Sequence, residues 1–294
     1  MQKTLTAALL AIGIALLSAA PAMATEPTGE YAEFRNCPYA TSGVVTCILA
    51  KTESGEFVVG KRTVPISKTI TLQGGARKPV EGVSEFVGAT NGESLSPTPQ
   101  NVPAGLAGLI NCEEITGSGF WEGVLRAACK AAFEKGLTGV NAVTEIAGSP
   151  SAIRLSTERL LSEKGVALTL PVKVRLENSL LGSECYIGSN ASPLTLNLTT
   201  GTTSPPGPNK PIKGKAGEVK INPEGTIVTV TENSLVDNSF SAPEATGCGG
   251  ILSFLIDPII DAQLGLPSAS GSNTAILSGT LKSAEAEAVE ESAK

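Results

Sequence analysis

Strict alternation of apolar and polar residues marks several segments of this chain as β-strands. In Leu168–Glu177 every even position is apolar, and every odd position carries a polar residue or proline. The same period of two occurs over 63–72 and over Leu194–Leu198. A strand points successive side chains to opposite faces, so this pattern predicts antiparallel strands with one buried and one solvated face. Pro65 and Pro171 cannot donate a ladder hydrogen bond, which predicts edge strands or bulges there.

Two turn signals predict β-hairpins. Residues 222–225, Asn-Pro-Glu-Gly, place proline second and glycine fourth, as a type I turn prefers. They predict a hairpin between Glu218–Ile221 and 226–231. Residues 52–55, Thr-Glu-Ser-Gly, similarly predict a hairpin between the apolar segments on either side of them.

Apolar residues at helical spacing predict a first helix over 120–135. Ser118 is its expected N-cap, and Gly136 follows its last residue. The side chains expected on its core-facing side are Trp121, Leu125, Ala128, Cys129, Ala132 and Phe133.

Two further segments have helical signals. A shorter helix is predicted over 156–164, where Gly165 ends it. In 251–264, Asp257 followed by Pro258 is typical of an N-cap and a first helical residue, which predicts two short helical turns.

These elements predict a mainly β fold, an antiparallel β-sandwich or barrel with two or three short inserted helices. The β-rich domain is expected over 25–282, and the loop-like stretch 91–103 is a possible internal boundary. Residues 283–294 form an acidic tail with few apolar side chains to bury, which predicts a frayed helix or disorder.

Residues 1–24 have the three-part pattern of a secretory signal peptide. Lys3 gives a basic start, and 5–17 is an apolar run that is too short to span a bilayer. Ala22 and Ala24 supply the small residues that a signal peptidase requires before its cut. We therefore expect cleavage before Thr25 and a product that is secreted, extracellular or associated with the cell envelope, and not membrane-spanning.

All six cysteines follow the predicted cleavage site. An even number of cysteines in an exported chain predicts three disulfides, for which fifteen pairings are possible. We favour neighbours in sequence, which pairs Cys37 with Cys47, Cys112 with Cys129 and Cys185 with Cys248. Metal binding is disfavoured because the chain has no histidine and no C-x-x-C spacing.

Charge and composition exclude several classes of function. The formal net charge is −6, which argues against binding the phosphate backbone of nucleic acids. Lys210, Lys213, Lys215 and Lys220 form a basic patch that could contact an anionic envelope polymer, although a solvated loop is the favoured interpretation.

The lack of histidine also excludes most nucleophilic catalysis, because Ser-His-Asp and Cys-His machinery require an imidazole. A pair of carboxylates remains a candidate for polysaccharide hydrolysis. The three aspartates, Asp237, Asp257 and Asp261, lie in one short region, and Glu113 and Glu114 are adjacent. Helix capping and dipole interactions are the favoured roles for Asp257 and Asp261.

Two segments, 102–110 and 251–266, hold more apolar side chains than short connections require. They could line a cavity for a hydrophobic ligand inside a β scaffold. Closure of the core is the favoured interpretation, because most apolar clusters are packing.

Several short segments of the chain resemble a family of secreted actinobacterial proteins of unknown function. They lie at 235–243, 245–250, 255–258, 264–268 and 273–277, with Cys37-Pro-Tyr and 44–50 near the other end. The likeness covers about two thirds of the chain after the signal and is weaker over 90–165. It implies an exported, disulfide-bonded product and brings no catalytic or ligand residues.

The function expected from the sequence is a secreted, non-enzymatic β-rich protein with a binding role or a structural role in the envelope or extracellular matrix. No cofactor is expected, and the partner is unknown. A carrier of a hydrophobic small molecule or lipid is the first alternative. A carboxylate-dependent polysaccharide hydrolase is the second.

Overall fold

The computed structural model describes residues 26–115 and 117–294. The predicted signal peptide, with Ala22 and Ala24, lies outside these residues. The described part is mainly β, with fourteen strands, four α-helices and five short 3-10 helices. Among its helices, none has both the length and the apolar character that crossing a bilayer requires.

The strands are antiparallel wherever they pair. They are β1 (Val44–Val59), β2 (Arg62–Pro65), β3 (Ile70–Arg77), β4 (Ser84–Gly88), β5 (Gln100–Asn101), β6 (Asn141–Ile146), β7 (Arg154–Leu155), β8 (Leu168–Glu177), β9 (Tyr186–Ile187), β10 (Leu194–Leu198), β11 (Glu218–Ile221), β12 (Ile227–Asp237), β13 (Ala245–Thr246) and β14 (Thr274–Glu285). The α-helices are α1 (Phe120–Glu134), α2 (Thr157–Ser162), α3 (Ser253–Leu264) and α4 (Ala286–Ser292). The 3-10 helices are Gly29–Phe34, Gly105–Gly108, Cys112–Glu114, Pro150–Ala152 and Gly250–Leu252.

All fourteen strands join one sheet, whose main path runs β11-β12-β14-β1-β3-β4-β7-β8-β6-β5. The sheet folds around a shared core, since Ile48 and Leu277 from one part cluster with Leu168 and Leu196 from the other. The prediction of a mainly β, antiparallel fold is confirmed. The barrel alternative is wrong, because the sheet is not closed.

The core is also continuous across 91–103. Phe86 precedes this stretch and Leu106 follows it, yet both belong to the same buried cluster. Within the stretch, Leu95 forms an isolated bridge with Leu72 of β3.

Alternation predicts the strands well where one face is fully buried. The three leucines of β10 are at most 2% exposed, while Thr195 and Asn197 face solvent. Segment 63–72 is divided between the edge strand β2, which ends at Pro65, and β3.

Pro171 lies inside β8, an interior strand, and not at an edge as predicted. Its carbonyl accepts a hydrogen bond from Ala147, so its nitrogen faces the same side. On that side β7 pairs with Leu168 and Thr169, and β6 pairs from Val172 onward. Ala147 lies opposite Pro171 in the register of β6, so the reciprocal hydrogen bond is the one that Pro171 cannot make, and β6 ends one residue earlier, at Ile146.

The hairpin at 222–225 is confirmed, since β11 and β12 pair across it and the Gly225 N–H donates to the Asn222 carbonyl at 3.0 Å. The hairpin at 52–55 is wrong. β1 continues through these residues, with a bulge between Thr52 and Ser54 opposite Gly279. Only glycine fits there, because a Cβ at Gly279 would lie 1.9 Å from the Lys51 carbonyl oxygen.

The predicted first helix exists as α1, with Gly119 and not Ser118 at its N-cap. Leu125, Cys129 and Ala132 are buried as predicted, but Trp121 is 45% exposed. It lies at the start of the helix, before the buried stripe begins at Leu125. α2 is three residues shorter than predicted, and Ser156 is its N-cap, accepting a hydrogen bond from the Arg159 N–H.

The prediction of two short turns in 251–264 is wrong, because α3 is one helix with Pro258 inside it. Pro258 lacks the N–H that would bond the carbonyl of Phe254, so the helix loses one hydrogen bond there. Asp257 is therefore not an N-cap.

The expectation of a frayed or disordered tail over 283–294 is also wrong. β14 extends to Glu285 between β1 and β12, and α4 follows it. The segment has few apolar residues, but two of them, Ala286 and Val289, are buried in a second small core. This core also contains Phe34 and the Cys37–Cys47 disulfide.

Three disulfides join Cys37 to Cys47, Cys112 to Cys129 and Cys185 to Cys248. The predicted disulfides are confirmed, in the pairs that sequence order favours. The second ties α1 to the 3-10 helix that precedes it.

Candidate functional site: an apolar cavity beside Arg62

The three aspartates hold backbone segments in place. Asp257 accepts hydrogen bonds from the Gly247 N–H at 3.1 Å and the Cys248 N–H at 2.8 Å. Asp261 accepts one from the Ala245 N–H at 2.7 Å. The two carboxylates of α3 thus fix the loop that carries Cys248, and both face backbone donors.

Burial raises the pKa of the Asp261 carboxyl above its ordinary value, and the nearby carboxylates of Glu244 and Asp257 act in the same direction. The hydrogen bond from Ala245 opposes this rise.

Asp237 is 1% exposed and lies at the end of β12. Its Oδ2 accepts from the Asn197 N–H at 2.7 Å, and its Oδ1 accepts from the N–H and hydroxyl of Ser239 at 2.8 and 2.6 Å. A buried carboxylate with three donors is a structural support that joins β10 to β12.

Glu113 and the lysines of the basic patch are surface groups. Glu113 forms an exposed ion pair with Lys130 at 3.2 Å. In the basic patch, Lys213 pairs with Glu163 and Lys215 with Glu232. Within the described residues, no group of three or more His, Cys, Asp or Glu side chains is placed to hold a metal ion.

An apolar cavity of about 60 Å³ lies between the strands of this fold. Seventeen residues line it, and fourteen of them are apolar. β1 and β2 supply Phe57, Val59 and Val64, while β8 supplies Val172, Val174 and Leu176. Other lining side chains come from β6, β9 and β10. The inward faces of these strands therefore leave a narrow gap that packing does not fill.

The two apolar segments singled out in the sequence both reach this cavity. Val102 and Leu109 come from 102–110, and Leu264 comes from 251–266. Most other large residues of these segments pack in the core, including Leu106 and Ile260, which are fully buried. Each segment thus closes the core and contributes to the cavity wall.

Gln100 is a polar lining residue whose amide is already satisfied. Its Oε1 accepts from the Ser67 N–H at 2.9 Å and the Lys68 N–H at 3.1 Å, and its Nε2 donates to the Lys68 carbonyl at 2.7 Å. It therefore fixes the loop after β2 and leaves little capacity for a ligand.

Arg62, at the start of β2, is the charged lining residue. Its Nη2 donates a hydrogen bond to the carbonyl of Gly108. Its Nε is buried and has no hydrogen-bond partner. None of the ion pairs within the described ranges includes it. Arg62 is thus a partly buried lining residue that has no ion-pair partner among the described residues and one donor without an acceptor.

Arg62 was missed in the sequence, although a signal for it exists. It shares the even parity of Val64 and Ile66, so it occupies the apolar face of an alternating segment. Arg62 is partly buried in that phase, whereas Lys68, which shares it, is exposed after β2 has ended.

Comparisons with protein-family models, with curated proteins and with solved structures find no match for this chain.

Proposed function

We propose that this protein is an exported binding protein that receives the apolar part of a small molecule in the cavity beside Arg62. The observation that carries the proposal is an apolar cavity with one charged residue in its wall. Ligand sites of proteins combine the same two features, a predominantly apolar lining and a few polar groups that orient the ligand.

The size of the cavity limits the ligand. About 60 Å³ exceeds the roughly 10–15 Å³ that one water occupies, but it is far below the ~300–1,000 Å³ of most ligand pockets. A whole lipid does not fit into this space. An apolar cavity of about 150 Å³ takes benzene, so only a smaller apolar group fits here. Polysaccharide hydrolysis is not proposed, because Asp257 and Asp261 are engaged with backbone N–H groups.

Binding of a neutral apolar probe tests this proposal. We expect xenon to bind in the cavity of the purified, oxidised protein and to shift the NMR methyl signals of its lining residues. Ala142→Leu places an isobutyl group in the cavity wall and should weaken binding about tenfold or more.

The matched control is Ala127→Leu, the same substitution on the exposed side of α1, which should leave binding unchanged. If xenon does not bind the wild-type protein, or binds both variants equally well, the cavity is not a ligand site.

Export is the second part of the proposal. The signal-like pattern of 1–24, the three disulfides and the resemblance to secreted actinobacterial proteins support it. When the gene is expressed with its own leader in an actinobacterial host, we expect protein in the medium or envelope fraction that begins at Thr25. N-terminal sequencing checks this, and a product with an uncut leader and reduced thiols in the cytosol would contradict it.

A further inference from the structure

β11 lies at one end of the sheet, and its outer edge is open. It pairs with β12 on one side, and no other strand of the described residues pairs with it. All four of its residues are exposed. An open edge presents backbone N–H and C=O groups to which a strand of another molecule can bond.

The backbone groups that point outward are those of Val219 and Ile221. At the end of the β11–β12 hairpin, the Asn222 N–H donates to the Ile227 carbonyl at 3.0 Å. Hydrogen-bonded and non-hydrogen-bonded pairs alternate along an antiparallel ladder, so the even-numbered residues of β11 also bond to β12. The N–H and C=O groups of Val219 and Ile221 therefore point away from β12.

The side chains of β11 alternate between charged and apolar residues. Val219 and Ile221 are 47% and 61% exposed, although Val219 lies opposite the buried Val230 on the same face. Glu218 and Lys220 lie on the other face, and neither belongs to an ion pair of the described residues. The strand thus presents two uncovered apolar side chains and two opposite charges that lack a counter-charge.

A second copy of this chain has the complementary charges. When β11 pairs with itself in the antiparallel sense, outward-pointing residues have to lie opposite each other. One such register sets Val219 opposite Val219 of the other copy, and Glu218 of each copy then lies opposite Lys220 of the other. These are non-hydrogen-bonded pairs, in which opposing side chains come closest, and opposite charges placed there stabilise the pairing.

The neighbouring registers fit less well. Setting Val219 opposite Ile221 brings the two Lys220 side chains together, and like charges directly opposite each other are destabilising. Setting Ile221 opposite itself places Val219 against Pro223, which has no N–H to donate. A lysine in an edge strand commonly prevents such pairing. Here Lys220 opposes one register and favours another.

We infer that this protein forms a weak two-fold dimer in which the β11 strands of two copies pair, centred on Val219. The Val219 N–H of each copy donates to the Val219 carbonyl of the other, and the two sheets become continuous. Four residues per copy are far fewer than the roughly 20–30 per side of a stable interface, so the dimer forms at high protein concentration.

Reversal of single charges tests this dimer. In analytical ultracentrifugation, the purified, oxidised protein should show a monomer–dimer equilibrium between micromolar and millimolar concentrations. Glu218→Lys and Lys220→Glu should each weaken dimerisation about tenfold or more, because two-fold symmetry converts both ion pairs into like-charge pairs. An equal mixture of the two variants should dimerise again, since every lysine then lies opposite a glutamate.

The matched control is Glu53→Lys, the same change of charge at an exposed residue of β1 that belongs to no ion pair of the described chain. It should dimerise as the wild-type protein does. Hydrogen exchange gives a second readout that needs no variant. Exchange at the Val219 N–H should slow as the protein concentration rises, whereas exchange at the Lys220 N–H, which already bonds to β12, should not change.

Three results would overturn the inference. They are a wild-type protein that stays monomeric up to millimolar concentration, charge variants that dimerise as well as the wild type, and a mixture of variants that does not recover the dimer. None of them affects the proposed function, because no residue of β11 lines the cavity beside Arg62.

Discussion

Replacing both Cys185 and Cys248 with alanine is expected to lower the free energy of unfolding by about 4 kcal/mol. The disulfide closes a loop with a sequence separation of 63 residues, and the constraint on the unfolded chain grows with the logarithm of that number. Both cysteines are fully buried, so their loss also weakens packing. For a domain of this size the change corresponds to a fall in Tm of roughly 10 °C.

The matched control is the double replacement of Cys37 and Cys47, whose sequence separation is only 10. Its expected cost is about 3 kcal/mol on the same basis. Urea unfolding of the wild-type protein and of both variants, purified with the remaining disulfides oxidised, measures the difference. A larger loss for the short loop, or no loss for the long one, would show that unfolded-chain entropy does not determine the stabilisation.

The elements predicted correctly from the sequence are those whose structure is determined within a single segment of the chain. β10 alternates because one of its faces is buried, and this alternation can be read without knowing which strands flank it. The buried stripe of α1 at Leu125, Cys129 and Ala132 is local in the same way. Disulfide pairs between sequence neighbours also follow from chain order.

The errors arise where a distant segment decides the local structure. Residues 52–55 have the composition of a hairpin turn, yet β14 pairs along the whole length of β1 and converts them into a bulge. Asp257 followed by Pro258 has the composition of a helix start. Its carboxylate instead binds the N–H groups of Gly247 and Cys248, and the helix continues through the proline.

The candidate site was also predicted only where a local pattern indicates it. Its apolar wall was partly predicted, because 102–110 and 251–266 carry an excess of apolar residues. Its polar group was not, since a single arginine in an edge strand is usually a solvated residue. Only the assembled sheet shows that Arg62 lines the cavity and that its Nε–H lacks an acceptor.

The substitution Asp237→Asn is expected to cost about 3 kcal/mol of stability, although it changes only one atom of the side chain. The 1% exposed carboxylate accepts three hydrogen bonds, and an amide has one oxygen, so at least one buried donor loses its partner and faces an NH₂ group. Ser239→Ala is the control, since it removes one hydroxyl donor and should cost only about 1 kcal/mol.

Urea unfolding measures the loss of stability in both variants. Hydrogen exchange at the Asn197 N–H should accelerate in Asp237→Asn alone. Equal losses in the two variants would mean that the negative charge of Asp237 does not stabilise the junction between β10 and β12.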